Sequence, residues 1–347
     1  MNKHGGYHGG KNDIIDFSVN INPLGIPQGI KEKLIQGIES LVDYPEITGQ
    51  TAIEKLAAGI SKRTNQLILG NGAIELIYLL ARSMTGKKAL IIQPTFNEYS
   101  RALKLYGCQV TELVLTRDEN FRLTTEKLRE TLLAEKPDLL FLCNPNNPTG
   151  VIYTNEEIKQ WMDIPEWEMI WFFDESFMDF TGQPGMLSED LGQGNFFVLK
   201  SLTKFYALPG LRIGYGAGNP KIIEGMMRYK EPWTINSLGL IALSQVYQEK
   251  EFAHKTIEHI DSQRKIVFNE LQKISSIEAF ESAADFHLCR IRSGMSSLKL
   301  KNDIEQAGMS LRTCEDFLGL DESYFRIAIK SSQANKRLIE FLKKWKG

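Results

Sequence analysis

Cysteine is scarce in this chain of 347 residues, and the four present, Cys108, Cys143, Cys289 and Cys314, form no CxxC pair. That scarcity speaks against a disulfide scaffold or a cysteine-based zinc site and fits reduced thiols in a cytoplasmic protein. Charge of one sign is scarce as well. Lys and Arg number 41 against 43 Asp and Glu, the net charge is −2, the pI is near 6.3, and no five like charges adjoin. Neither nucleic acid nor an acidic membrane surface is implied as a partner. No apolar run approaches the ~18 residues of a membrane span, and MNKHGGYHGGKND at the amino terminus lacks the apolar stretch of a secretion signal. The GxxxxGK[ST] loop of nucleotide hydrolases does not occur, so the apolar run ending in Asp174-Glu175 is not read as their metal-binding strand. Gly214, Gly216 and Gly218 give only GxGxG, which does not amount to a dinucleotide site. His254 and His259 stand five apart, one residue too far for a helical metal pair, and no metal is expected.

What the chain does hold centres on SLTKFYALPGLRIGYGAG, Ser201 to Gly218. Ser201, Thr203 and Lys204 precede a turn enforced by Pro209-Gly210, and Arg212 follows it. A lysine amine can condense with a phosphorylated aldehyde, while hydroxyls and a guanidinium beside it can grip the phosphate. Two apolar runs upstream end in further polar groups. DLLFLCNPNNPTG reads as a buried strand broken by a rigid Asn-Pro loop that carries Asn147, and WEMIWFFDESF reads as another strand ending in Asp174. An aspartate there can pair with a protonated ring nitrogen, and an asparagine can donate to a ring oxygen. Gly70-Asn71-Gly72 feeds a helix starting near Ala73, a turn that aims free backbone N–H groups at one spot.

This ordered set, Asn147 in NPTG, Asp174 in the DE pair, Lys204 and Arg212, resembles the class I/II aminotransferase family of fold-type I pyridoxal 5'-phosphate enzymes, in its histidinol-phosphate aminotransferase branch. The resemblance implies an α/β fold with a large, mostly parallel-sheet domain and a small α+β domain. It implies pyridoxal phosphate as cofactor, held by Gly72, Ala73, Phe96, Asn147, Asp174, Ser201, Thr203, Lys204 and Arg212, with Lys204 and Asp174 catalytic. It also implies a homodimer with shared active sites, in which Tyr44 of the Tyr-Pro pair reaches the partner's cofactor phosphate.

A narrower likeness lies at the amino terminus. Composition alone makes His4 to Gly10 a flexible arm. HGG followed by DFS-N-INPLG is similar to the start of the L-threonine-O-3-phosphate decarboxylases of cobalamin biosynthesis, with a shorter gap between the two motifs. That likeness implies substrate contacts from His8, Gly9, Asn20, Asn147, Arg312 in LRTC and Arg326 in YFRI. Relatives that transaminate usually carry DEAY where this chain has DESF, so Phe177 lacks their phenolic donor. The expected reaction is decarboxylation of O-phospho-L-threonine to (R)-1-amino-2-propanol O-phosphate and CO2. The alternative is a histidinol-phosphate or related aminotransferase. A guanidinium on the departing carboxylate would stabilise the ground state, so Arg312 and Arg326 are expected on the phosphate, with Asn20 and the His8 arm on the carboxylate.

Periodicity predicts strands near Leu67–Leu69, Lys88–Ile92, Val110–Leu115, Leu139–Cys143, Met169–Asp174, Phe196–Leu199 and Arg212–Gly216, alternating with helices. A long amphipathic helical stretch is expected over Ser237–Ile274, with strands at Phe286–Ile291, Ser310–Thr313 and Tyr324–Ile329 beyond it. The expected division is 1–30 as an arm attached to the small domain, 31–250 as the large domain and 251–347 as the small carboxy-terminal domain.

Overall fold

The computed structural model describes residues 5–6, 14–192, 194–292 and 294–346. Seven strands form the central sheet, in the order Leu67–Asn71, Ile213–Gly218, Phe196–Ser201, Ile170–Asp174, Leu139–Cys143, Lys88–Gln93 and Gln109–Val114. Pairings are parallel from Phe196–Ser201 outward to Gln109–Val114, while Ile213–Gly218 runs antiparallel to both of its neighbours. The inner strands are apolar throughout because helices cover both faces, as in Leu139–Cys143, where every residue is buried. Phe141, Phe172 and Phe197 stack across three adjacent strands, with ring centroids 4.3 and 5.8 Å apart. Each such ring removes enough apolar surface from water to contribute roughly 2 to 3 kcal/mol.

The glycine run has a packing role in this sheet. A Cβ on Gly216 would fall 2.0 Å from the Phe197 ring, and one on Gly214 would fall 2.8 Å from the Ala73 backbone nitrogen. Ile213–Gly218 can therefore lie tight against the start of the helix Gly72–Ser83 at Gly214 and admit the Phe197 ring at Gly216 only because it carries no side chain at those points.

Helices begin where the sequence offers caps. Thr154 and Glu157 form a reciprocal capping box at the start of Asn155–Met162, and Thr124 caps Thr125–Glu135. The expected continuous stretch over Ser237–Ile274 is instead two helices, Ser237–Leu243 and Lys250–Leu271, separated by a 3-10 turn at Val246–Gln248. Tertiary packing overrides helical propensity here. The break turns Val246 into the core and brings the Tyr247 hydroxyl into a hydrogen bond with Tyr215.

A second, antiparallel sheet has the order Arg312–Thr313, Tyr324–Ala328, Phe286–Ile291 and Ile277–Ala279. The single strand expected at Ser310–Thr313 divides. Met309–Ser310 pairs in parallel with Ile15–Asp16, and Arg312–Thr313 joins the four-stranded sheet. Leu311, fully buried, is the pivot between the two pairings. The amino-terminal segment is thus bound to carboxy-terminal elements, and the Ala328 N–H donates to the Phe17 carbonyl at 2.9 Å.

Candidate active site

Most of the polar groups singled out in the sequence meet at one edge of the central sheet. Asp174 ends one strand, the Asn147 loop follows a second, Phe96 follows a third, and Gly72 follows a fourth. Lys204 lies in the short helix Leu202–Phe205 directly after Phe196–Ser201. Arg212 precedes Ile213–Gly218, whose reversed direction brings its first residue to the same edge. Ligands of open α/β sheets bind at such carboxyl ends.

A cavity of about 330 Å³ opens there, lined by Ala73, Phe96, Asn147, Asp174, Phe177, Ser201, Thr203, Lys204, Arg212, Arg326 and the segment Ser18–Ile21. Lys204 Nζ donates to Ser201 Oγ at 2.8 Å, and Ser201 and Thr203 share a hydrogen bond of 2.9 Å. Burial lowers the Lys204 pKa from its ordinary value, Asp174 opposes that shift and Arg212 adds to it. The amine therefore exchanges protons more readily than a surface lysine. Asp174 accepts from the Tyr99 hydroxyl at 2.5 Å through Oδ2 and from the Ser176 N–H at 2.9 Å through Oδ1. These donors fix the carboxylate plane beneath the cavity.

Gly72 has φ +71°, and a Cβ on it would sit 2.5 Å from Arg212 Nη2. The Gly72 N–H donates to the Arg212 carbonyl at 2.7 Å, so the glycine turn and the guanidinium form one cradle at the helix amino terminus. Arg326 lines the same cavity. Its Nη1 donates to Asn147 Oδ1, and its Nη2 donates to the Ser18 carbonyl at 3.0 Å. Burial pushes the Arg326 pKa down to about 10. Arg326 Nε and Asn20 Oδ1 are both buried without a hydrogen-bond partner, and both residues line the cavity. Two such orphaned polar atoms are expected of a site built for a polar ligand.

The segment Ser18–Asn22 closes one wall. Lys330 Nζ donates to the Val19 carbonyl at 2.8 Å, the Asn22 N–H donates to the Lys204 carbonyl at 3.1 Å, and Asn22 Nδ2 donates to the Phe205 carbonyl at 2.7 Å. The wall is thus tied both to the lysine turn and to the carboxy-terminal sheet.

Other expected site residues lie elsewhere. His8 and Gly9 are outside the described residues. From the first HGG triplet, Gly5 lines the cavity and the Gly6 N–H donates to Ser18 Oγ at 2.8 Å. Tyr44 lies away from the cavity of its own chain, 89% exposed, with the Trp233 ring tilted against it at a centroid distance of 5.8 Å. Arg312 is buried beside Arg326 but does not line the cavity, and its guanidinium is bonded to Asp316. Sequence reasoning missed Tyr99, whose hydroxyl supports Asp174 from 75 residues away. It also missed Asp285, a fully buried carboxyl with no hydrogen bond at either oxygen, in the electrostatic field of Lys330, Arg326 and Lys204.

A buried lysine amine, a carboxylate fixed beneath it and an anion cradle at a helix start define an enzyme site for a phosphorylated carbonyl cofactor. The chain belongs to the class I and II aminotransferase family, whose description matches residues 12–342. It is 34% identical over 337 residues to a provisionally named threonine-phosphate decarboxylase of Caldanaerobacter subterraneus, covering 93% of this chain and 88% of that one. Against the threonine-phosphate decarboxylase of Salmonella typhimurium it is 30% identical over 333 residues, covering 95% and 90%. In three dimensions it resembles the histidinol-phosphate aminotransferase of Clostridium acetobutylicum, with a TM-score of 0.88 at 31% identity over 95% of this chain and 98% of that one. Pyridoxal 5'-phosphate is the cofactor of this family. The residues present fit it. The glycine cradle with Arg212, Ser201 and Thr203 suits its phosphate, Asp174 its ring nitrogen and Lys204 its aldehyde.

Proposed function

We propose that the chain is a pyridoxal phosphate-dependent decarboxylase that converts O-phospho-L-threonine to (R)-1-amino-2-propanol O-phosphate and CO2, a step toward the side chain of cobalamin. The observation that carries this reading is the convergence of Lys204, Asp174, Arg212 and Arg326 on one cavity. The choice of substrate is supported by likeness to decarboxylases across nearly the whole chain.

When bound, pyridoxal phosphate supplies an electron sink for the pair left on Cα as CO2 departs. The Asp174 carboxylate, held by Tyr99 and Ser176, balances a positive charge on the ring nitrogen and keeps it protonated. Arg212, the Ser201 and Thr203 hydroxyls and the backbone N–H of Ala73 would anchor the cofactor phosphate, while the Gly72 N–H, bonded to the Arg212 carbonyl, holds the turn in place. Phe96 lines the same cavity and would offer its ring as a stacking surface for the cofactor. Lys204 Nζ, with its lowered pKa, takes up a proton and returns one to Cα, which restores the valence vacated by the carboxylate. Arg326 and the Asn20 amide Nδ2 would donate to the substrate's acidic groups, and the Ser18–Asn22 wall keeps water from the reacting carbon.

The carboxy-terminal sheet and the paired amino-terminal strand are read as the small domain, with 1–30 attached to it, 31–250 as the large domain and 251–347 as the remainder. We infer a homodimer. Val42 is 88% exposed and Tyr44 89%, and Ile35, Ile38, Leu41 and Ile47 add to the same apolar stretch. That surface is suited to burial against a second copy, with Tyr44 reaching the partner's cofactor phosphate. A cytoplasmic location is supported by the four free, buried cysteines. Among the described residues no helix is long and apolar enough to cross a membrane.

Likeness to the Clostridium acetobutylicum structure supports the second reading, histidinol-phosphate aminotransferase. A parallel product assay separates the two. The expected result is CO2 release from O-phospho-L-threonine without a keto-acid acceptor. Glutamate formation from histidinol phosphate and 2-oxoglutarate, with no CO2 release from O-phospho-L-threonine, would replace the decarboxylase by the aminotransferase.

A further inference from the structure

Arg312 and Arg326 are direct cross-strand partners in the antiparallel pair Arg312–Thr313 and Tyr324–Ala328, so their side chains rise from one face of the small sheet. Arg326 reaches the cavity, and Arg312 stands beside it. Arg312 is already engaged. Its Nη2 donates to Asp316 Oδ1 at 2.8 Å and Oδ2 at 2.7 Å, and its Nη1 donates to the Thr313 carbonyl.

Asp316 is in turn fastened to the central-sheet side. Asn97 Nδ2 donates to the Asp316 carbonyl at 2.9 Å and to Oδ2 at 3.2 Å, and Asn97 follows Phe96 of the cavity wall. The carboxylate therefore lies at the seam between the two sheets, bonded to the Arg312 guanidinium and within the electrostatic reach of Arg326. Two guanidiniums alone suit a dianion. With the Asp316 carboxylate on Arg312 the three groups carry one net positive charge, and an incoming phosphate meets a negative group where it needs a donor.

We propose that Asp316 sets the site's affinity for phosphate: it occupies Arg312 in the ligand-free protein and competes with the substrate's phosphate for it. The proposal rests on the phosphorylated-substrate reading above. Binding then requires the carboxylate to turn off Arg312, while the bond from Asn97 to the Asp316 backbone carbonyl keeps the loop docked. A substrate without a phosphate leaves the Asp316–Arg312 pair in place, so the pair weakens the binding of phosphorylated ligands alone.

The test is Asp316→Asn in the cofactor-loaded protein. KM for O-phospho-L-threonine and the Kd of inorganic phosphate, read by calorimetry, should each fall about tenfold, with kcat/KM rising by the same factor, as expected for removal of one competing charge nearby. Affinity for L-threonine should not change. Unchanged or weaker phosphate binding in Asp316→Asn, or equal tightening for L-threonine, overturns the proposal. A wild-type crystal structure with O-phospho-L-threonine bound does not depend on the variant folding. The Arg312–Asp316 pair should be open in it, and an intact pair overturns the proposal. If the wild type releases no CO2 from O-phospho-L-threonine, the decarboxylase reading fails, while the phosphate titration still decides the role of Asp316.

Discussion

Gly72→Ala probes the anion cradle, and its effect divides into two parts that can be measured separately. The first is backbone strain. Gly72 has φ +71°, and an L-residue in that region costs ~1 to 2 kcal/mol. At about 2 to 4 °C per kcal/mol for large domains, the melting temperature of the cofactor-free protein should fall by a few degrees. The second part is steric. The new Cβ would stand 2.5 Å from Arg212 Nη2 and 3.1 Å from Cζ, so the guanidinium must retreat by roughly 1 Å to reach ordinary contact. A retreat of that size breaks one charged hydrogen bond to the phosphate, worth ~1.5 to 3 kcal/mol, or about tenfold to a hundredfold in cofactor affinity. Gly86→Ala is the control. Gly86 has φ +78° with nothing within 4 Å of its Cβ, so it carries the strain without the contact. Absorbance titration of the cofactor-free proteins with pyridoxal phosphate reads the affinity, and thermal melting reads the strain. The reasoning fails if Gly72→Ala binds cofactor as tightly as the wild type, or if Gly86→Ala loses as much affinity.

Asp285→Asn should stabilise the protein above about pH 6. Burial raises the Asp285 pKa from 3.8 to about 6, so the folded chain retains a proton that the unfolded chain releases across that window. Stability falls as pH rises from about 4 to 6, and the cost, at most roughly 3 kcal/mol, persists at higher pH. The variant's melting temperature should exceed the wild type's at pH 7.5 and converge with it toward pH 4, whereas a gap independent of pH would refute the assignment. Tyr44→Phe should weaken cofactor affinity in the dimer. Equal affinity in wild type and variant, or a monomer that holds cofactor as tightly as the dimer, would remove Tyr44 from the site.

The sequence was most informative where the chemistry sits on local punctuation. Asn147, Lys204 and Gly72 each follow, and Asp174 ends, a strand that is apolar enough to recognise, and each is set off by proline, glycine or a change of polarity. A common sheet edge then brings them together without further information. What could not be read depends on partners far apart in the chain. Tyr99 looks like one more aromatic of an amphipathic helix until its hydroxyl meets Asp174. Asp316 looks like a solvated loop carboxylate until Arg312 and Asn97 close on it. The split at Leu311 arises the same way, because two residues on either side of it pair with different sheets. Local propensity holds no trace of that competition.

The central claim is that Lys204 carries the reactive amine of the site. The most direct measurement is borohydride reduction of the cofactor-loaded protein, followed by proteolysis and mass spectrometry of the modified peptide. The account predicts one pyridoxyl-bearing peptide with the label on Lys204, and no label in Lys204→Ala. Label on another lysine, or a wild-type protein that takes up the cofactor and yields no covalent adduct, would contradict it.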